Sequence, residues 1–145
     1  MKHRGNKVDY EQDRKNDLMS VFHRLIDEAD FISMDDIYKK VVLEPSARFW
    51  VSEERAAIVL SKMLKGDDLH YMTANKRAMF QEIYRRAVEL RRKNPELSLV
   101  EVATRVVHQP APCFYLEPKT ARVYIFSVKR KWYEERKRRL RHLFM

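Results

Sequence analysis

Apolar residues recur along this chain in short helical runs, each opened by a capping residue and closed by a breaker. Leu18, Val21, Phe22, Leu25 and Ile26 fall at i, i+3, i+4, i+7 and i+8, one face of a helix that starts near Asp17. Residues 1–16 lack that period and read as a loose polar arm. Ser33-Met34-Asp35-Asp36 predicts a capping box, with Ile37, Val41 and Val42 as the apolar face behind it and Pro45 as the stop. Ser52 opens a third helix whose acidic first turn, Glu53 and Glu54, suits the helix dipole, and Gly66 ends it.

The same order then recurs. Thr73 caps a basic amphipathic helix with Met79, Ile83, Ala87 and Leu90 on one side, and Asn94-Pro95 breaks it. Ser98 and Glu101 form a second capping box ahead of Val102, Val106 and Val107, and Pro110 stops that helix. Pro118 suits the first turn of a long last helix. Ala121, Ile125, Val128 and Trp132 are its core-facing positions.

At a spacing of 65, Ser33 aligns with Ser98, Val41-Val42 with Val106-Val107, Pro45 with Pro110, and Phe49-Trp50-Val51 with Phe114-Tyr115-Leu116. At a spacing of 62, Val21-Phe22-His23-Arg24 aligns with Ile83-Tyr84-Arg85-Arg86. Helical periodicity alone does not explain the shared Val-Val-x-x-Pro-x-x-x-Phe-aromatic-aliphatic string, so the chain reads as an internal duplication. The expected fold is all-α: two tandem tri-helical repeats packed as one compact domain, with a basic C-terminal helical extension. The expected divisions are an arm (1–16), an acidic scaffold repeat (17–72), a basic repeat (73–131) and a basic tail (132–145).

Composition agrees with helices. Two glycines and five prolines in 145 residues are too few turn formers for a multi-stranded β fold. No run approaches the roughly 18 apolar residues of a membrane span, and Met1-Lys2-His3-Arg4 leads into no apolar signal core. Cys113 has no second cysteine to pair with, which suits a cytoplasmic protein, nucleoid-associated if bacterial.

The net charge is +9, unevenly spread. Residues 17–72 hold seven cations against eleven acids, a net of −4, whereas 73–93 reach +5 and 129–145 reach +6. That asymmetry suggests one face for a polyanion and another for a different partner.

Enzyme motifs are missing: there is no phosphate-binding glycine loop, His-Glu-x-x-His or Gly-x-Ser-x-Gly. The five histidines share no metal-ligand spacing, and Cys113, five residues after His108, reads as a small connector residue. No enzyme activity, cofactor or metal is expected.

The back copy, Val102-Ala103-x-x-Val106 through Glu117-Pro118-Lys119-Thr120-Ala121-Arg122-Val123-Tyr124, resembles the helix-turn-helix superfamily. The connector from Gln109 to Leu116 exceeds the usual turn of about 3–4 residues, which suits a looser tri-helical or winged variant. The resemblance implies double-stranded DNA binding, with Lys119, Thr120 and Arg122 at the groove. Backbone contacts are expected from Lys129, Arg130, Lys131 and the run Arg136, Lys137, Arg138, Arg139. The basic helix adds Lys76, Arg77, Arg85, Arg86, Arg91, Arg92 and Lys93.

The nucleic-acid partner is expected to be DNA rather than RNA, bound by a small regulator or accessory factor of a phage or mobile element. The alternative is an interaction or assembly protein, in which the first repeat meets a homodimer or protein partner and the tail only adds affinity for polyanions. The aromatic pairs Phe49-Trp50 and Phe114-Tyr115 are expected to plug the core of their own unit or the seam between units, although stacking on bases is open to them.

Overall fold

The computed structural model describes residues 5–30 and 33–143, with side chains from Tyr10 onward. Its helices are α1 (Gly5–Glu28), α2 (Met34–Val41), α3 (Glu53–Leu64), α4 (Ala74–Lys93), α5 (Leu99–Val107) and α6 (Pro118–Leu143). The fold is all-α and compact, with no named strand among the described residues.

Capping chemistry sets most of the helix starts. Ser52 Oγ accepts the Arg55 amide, Thr73 Oγ1 accepts the Lys76 amide, and Ser98 with Glu101 closes a reciprocal box. Each cap serves amides that have no intrahelical partner. Ser33 departs from the expectation: it sits at the start of α2 but its side chain makes no capping bond. Its ψ of 116° falls short of the 152–163° at the three working caps, which turns the hydroxyl away from the first-turn amides. Asp35 and Asp36 still complement the dipole there. Gly66, at φ +103°, ends α3 in the left-handed region that glycine enters without a Cβ clash.

Two further expectations are corrected. The chain from Gly5 is already helical, so the polar arm is the first part of α1; residues 1–4 lie outside the described residues. Tyr10 and Arg14 continue the stripe of Leu18 at i, i+4 and i+8, but with polar tips that an apolar count overlooks. Trp132 is 48% exposed rather than core-facing, because the core under α6 ends at Val128; its ring stacks on His23 at 5.9 Å.

The helices do not close into cores in chain order. One core joins α1 and α2 to α6, with Leu18, Phe22, Val41, Ala121 and Ile125 inside it. The other joins α4 and α5 to α3, with Ile83, Val106, Ala56 and Leu60 inside. Neither α2 with α3 nor α5 with α6 forms a packed pair. The tri-helical units expected at 17–72 and 73–131 therefore differ from the packed groups: α3 crosses to pack with α4 and α5, and α6 crosses to pack with α1 and α2.

Hydrogen bonds between the two connectors account for the crossing. Ser46 and Ala111 exchange both amide-to-carbonyl bonds, at 3.1 and 3.0 Å. The Phe49 amide donates to Val107 O at 2.9 Å, and the Phe114 amide donates to Val42 O at 3.1 Å. Ser46 with Ala111, Phe49 with Phe114 and Val42 with Val107 are all pairs at the spacing of 65. Arg24 meets Glu44 at 2.6 Å just as Arg86 meets Gln109 at 3.1 Å, again at matched positions. Phe49 (0% exposed) is thus buried in the α3–α4–α5 core and Phe114 (4%) in the α1–α2–α6 core. Their neighbours stay behind: Trp50 packs against the α1–α2–α6 core and Tyr115 against the α3–α4–α5 core, so each aromatic pair fills a core on both sides of the seam, as the expectation allowed.

Such crossing makes each half depend on the other. Peptides 1–72 and 73–145 are expected to be weakly helical apart and to regain native helicity when mixed, as read by circular dichroism. Spectra that simply add on mixing would show two self-sufficient halves. Phe49→Ala and Phe114→Ala should each cost about 3–5 kcal/mol in denaturant unfolding.

Candidate nucleic-acid interface

A helix that leaves its core keeps its hydrogen bonds but loses its packing. That is the condition of α6 after Val128: every described residue from Lys129 to Leu143 is exposed. These fifteen residues extend about 22 Å at 1.5 Å per residue. They carry Lys129, Arg130, Lys131, Arg136, Lys137, Arg138, Arg139 and Arg141 against Glu134 and Glu135. The expected tail is continuous with α6 as far as Leu143, with no break at 132; residues 144–145 lie outside the described residues. Rings support two of the cations: Lys129 Nζ lies 4.7 Å from the Phe22 ring centre and Lys137 Nζ 5.2 Å from that of Tyr133.

At the start of α6, Lys119 and Arg122 are exposed and Thr120 is half-buried. Lys119 and Arg122 border a shallow groove of about 260 Å³ with Asp35, Tyr38 and Lys39 of α2. The Arg122 guanidinium lies 4.9 Å from the Phe126 ring centre. The helix backing this segment is therefore α2, with α1 beside it, and not α5.

Helix α4 is less available than its cation count suggests. Arg77 donates to the carbonyls of Leu69, His70 and Met72 at 2.8–3.3 Å, tying the α3–α4 turn to the helix. Arg86 is held by Glu82 at 2.7 Å, by Gln109 and by Pro110 O at 2.9 Å, and lies 5.0 Å from the Phe49 ring centre. Glu82 also takes Arg85 at 2.6 Å, and Glu89 takes Arg92 and Lys93 at 2.6 and 3.6 Å. Among the described residues, the Lys76 and Arg91 side chains have no acidic partner. Helices α4 and α6 belong to different cores, joined near their starts by Asn75 Nδ2 donating to Glu117 at 2.9 Å.

A second basic cluster went unseen in the sequence. Arg14 lies between the rings of Tyr10 and Tyr124, 5.7 and 4.8 Å from their centres, and donates to Tyr124 Oη at 2.8 Å. Arg48 lies between Tyr10 and Trp50, at 5.7 and 5.2 Å, while donating to the carbonyls of Phe49 and Val51. Burial pushes the Arg48 guanidinium below its ordinary value and the Tyr10 phenol above its own. Arg14 stands 62 residues before Lys76, the spacing that relates the first helices, and this was the signal available in the sequence.

The remaining chemistry-bearing residues are engaged elsewhere. His108 Nε2 meets Glu53 at 2.7 Å, and burial raises the Cys113 thiol, which keeps it protonated and weakly nucleophilic near neutrality. Tyr115, pushed up to about 12 by burial, stacks on Phe49 at 6.2 Å from a left-handed backbone at φ 54°. Among the described residues, no helix is long and apolar enough to cross a membrane. Comparison with protein families, curated proteins and solved structures finds no match to this chain.

The internal and exposed arginines should separate on substitution. Arg77→Ala should lower unfolding free energy by about 1.5–3 kcal/mol, because it frees carbonyls from a charged donor. Arg91→Ala should stay within about 0.5 kcal/mol. The hydrogen bond from Arg85 holds the Glu82 carboxyl below its ordinary value of 4.5. Its stabilisation is full above that pH and is lost as the pH falls through the lowered value. Glu82→Gln should therefore flatten the acid limb of a stability–pH curve and leave stability differences above pH 6 constant.

Proposed function

We propose that this chain binds nucleic acid, with duplex DNA preferred, through α6 presented by the α1–α2–α6 group. The observation that carries the proposal is the unpacked half of α6. A helical segment with no buried residue, with cations at Lys137 and Arg141 four apart and a run of four from Arg136, carries like-charge repulsion along its length. A polyanion would relieve that repulsion and release counterions. A helix about 10–12 Å across also matches the width of the major groove. In this reading Lys119, Thr120 and Arg122 face the groove, and the cations from Lys129 to Arg139 follow the phosphates.

On α4, Lys76 and Arg91 supply backbone contacts most readily, followed by the weakly held exposed pairs of Arg85 and Arg92. The role is binding rather than catalysis, in a regulator or accessory factor. The reciprocal Ser46–Ala111 bonds, and the Phe49–Val107 and Phe114–Val42 bonds that mirror each other at matched positions, support a duplicated tri-helical unit whose third helices have been exchanged.

One observation favours a protein partner as the second reading. Phe126, Tyr133 and Leu140 are 42%, 62% and 46% exposed and recur every seven residues along α6, the period of a helix–helix seam.

Fluorescence anisotropy with duplex DNA, single-stranded DNA and RNA across a salt series tests the two. Duplex binding should weaken steeply with salt. A chain ending at Val128 should lose most of the affinity, and its log–log salt slope should become shallower by about 0.9 for each phosphate left unneutralised. Lys119→Ala with Arg122→Ala should weaken a selected site more than random duplex. Salt-insensitive or undetectable binding near 50 mM salt, together with dimerisation abolished in Phe126→Ser/Tyr133→Ser, would favour the protein partner.

A further inference from the structure

Where the two helical groups meet, a cavity of about 320 Å³ opens between α1, the α2–α3 connector, α3, α4 and the start of α6. Its volume is at the lower end of the range for small-ligand sites, about 300–1,000 Å³, and such sites favour interfaces between packed units. The lining holds three cations, Arg14, Arg55 and Lys76, and no acid. Its aromatic walls include Tyr10, Trp50 and Tyr124. Both members of two matched pairs line it, Arg14 with Lys76 and Val51 with Leu116, so it sits on the line about which the halves are related.

Arg14 is only 8% exposed, and its Nε is buried without a hydrogen-bond partner. Its Nη2 already serves Glu11 and Tyr124. A buried donor left over costs free energy until an acceptor arrives. Rings that can stack, cations that can meet an anion and the absence of a lining carboxylate describe one kind of ligand: a planar heteroaromatic ring carrying a phosphate.

We infer that this cavity binds a single nucleotide, its base against Trp50 and its phosphate against Lys76, Arg55 and Arg14. A free nucleoside monophosphate and an unpaired nucleotide in a strand share that chemistry. The site is separate from the exposed half of α6 and does not depend on duplex binding there.

Trp132→Phe leaves Trp50 as the remaining tryptophan and provides the readout. Titration of this protein with AMP, UMP and a thymidine hexanucleotide should give saturable quenching, whereas adenosine and inorganic phosphate should bind at least tenfold more weakly. AMP tighter than the hexanucleotide identifies a free nucleotide as the ligand; the reverse order identifies a strand. Lys76→Ala with Arg55→Ala, both at exposed positions, should weaken binding at least tenfold with an unchanged melting temperature. Ending the chain at Val128 should leave the titration unchanged, which separates this site from the duplex reading. No saturable response to the nucleotides or the hexanucleotide overturns the inference. So does equal binding of inorganic phosphate, or an affinity that survives the double substitution.

Discussion

The structure depends on four backbone hydrogen bonds between the two connectors. Segments that leave a helix and turn at a proline carry amides and carbonyls with no partner of their own, and burying them unpaired would be costly. Here each connector satisfies the other: Ser46 with Ala111 in both directions, Phe49 to Val107, and Phe114 to Val42. The pairing places each phenylalanine over the opposite pair of helices, where both rings are buried. Once Phe49 lies in the α4–α5 core, α3 must follow it, and once Phe114 lies in the α1–α2 core, α6 must follow. The exchange of α3 and α6 between the two halves of the chain is thus the geometric outcome of pairing the connectors.

That exchange redistributes the charge. Along the chain, the acidic stretch comes first and the basic ones later, which suggests a scaffold copy and a binding copy. In space, basic α6 is mounted on α1 and α2 from the acidic half, and basic α4 is backed by α3 from the same half. The charge contrast falls between helices rather than between the halves of the chain. On α4, Glu82 and Glu89 take four of the seven cations, and Arg77 is spent on turn carbonyls. On the free end of α6, two glutamates face eight cations and no core lies beneath. The positive potential should therefore be strongest along α6, where desolvation on binding is also cheapest.

The contact zone between the groups has a different chemistry. There, cations alternate with rings: Tyr124, Arg14, Tyr10, Arg48 and Trp50 follow one another at 4.8–5.7 Å. Desolvated guanidinium groups on aromatic faces hold the start of α1 against the connector and α6. This explains why a segment without apolar periodicity is helical: its buried face consists of amphipathic residues. The same stack forms one wall of the cavity assigned to a nucleotide.

Local rules made much of this legible in the sequence. The starts of α3, α4 and α5, the stop at Gly66, the entry of α6 at Pro118 and the buried stripes of Ile83 and Ile125 follow from capping, dihedral preference and periodicity, all of which act within a few residues. Matches at a spacing of 65 marked which positions would correspond. They could not say which core α3 and α6 join, because periodicity defines a helix's apolar face but not the face that covers it. Nor did cation counts distinguish Arg77 and Arg86, consumed by carbonyls, from Arg91, since that depends on what the fold brings within about 3 Å. The sequence by itself determined the helices, their order and their matched positions. Only the tertiary structure decided which helices share a core and which cations stay free, because those follow from long-range pairing of backbone and rings.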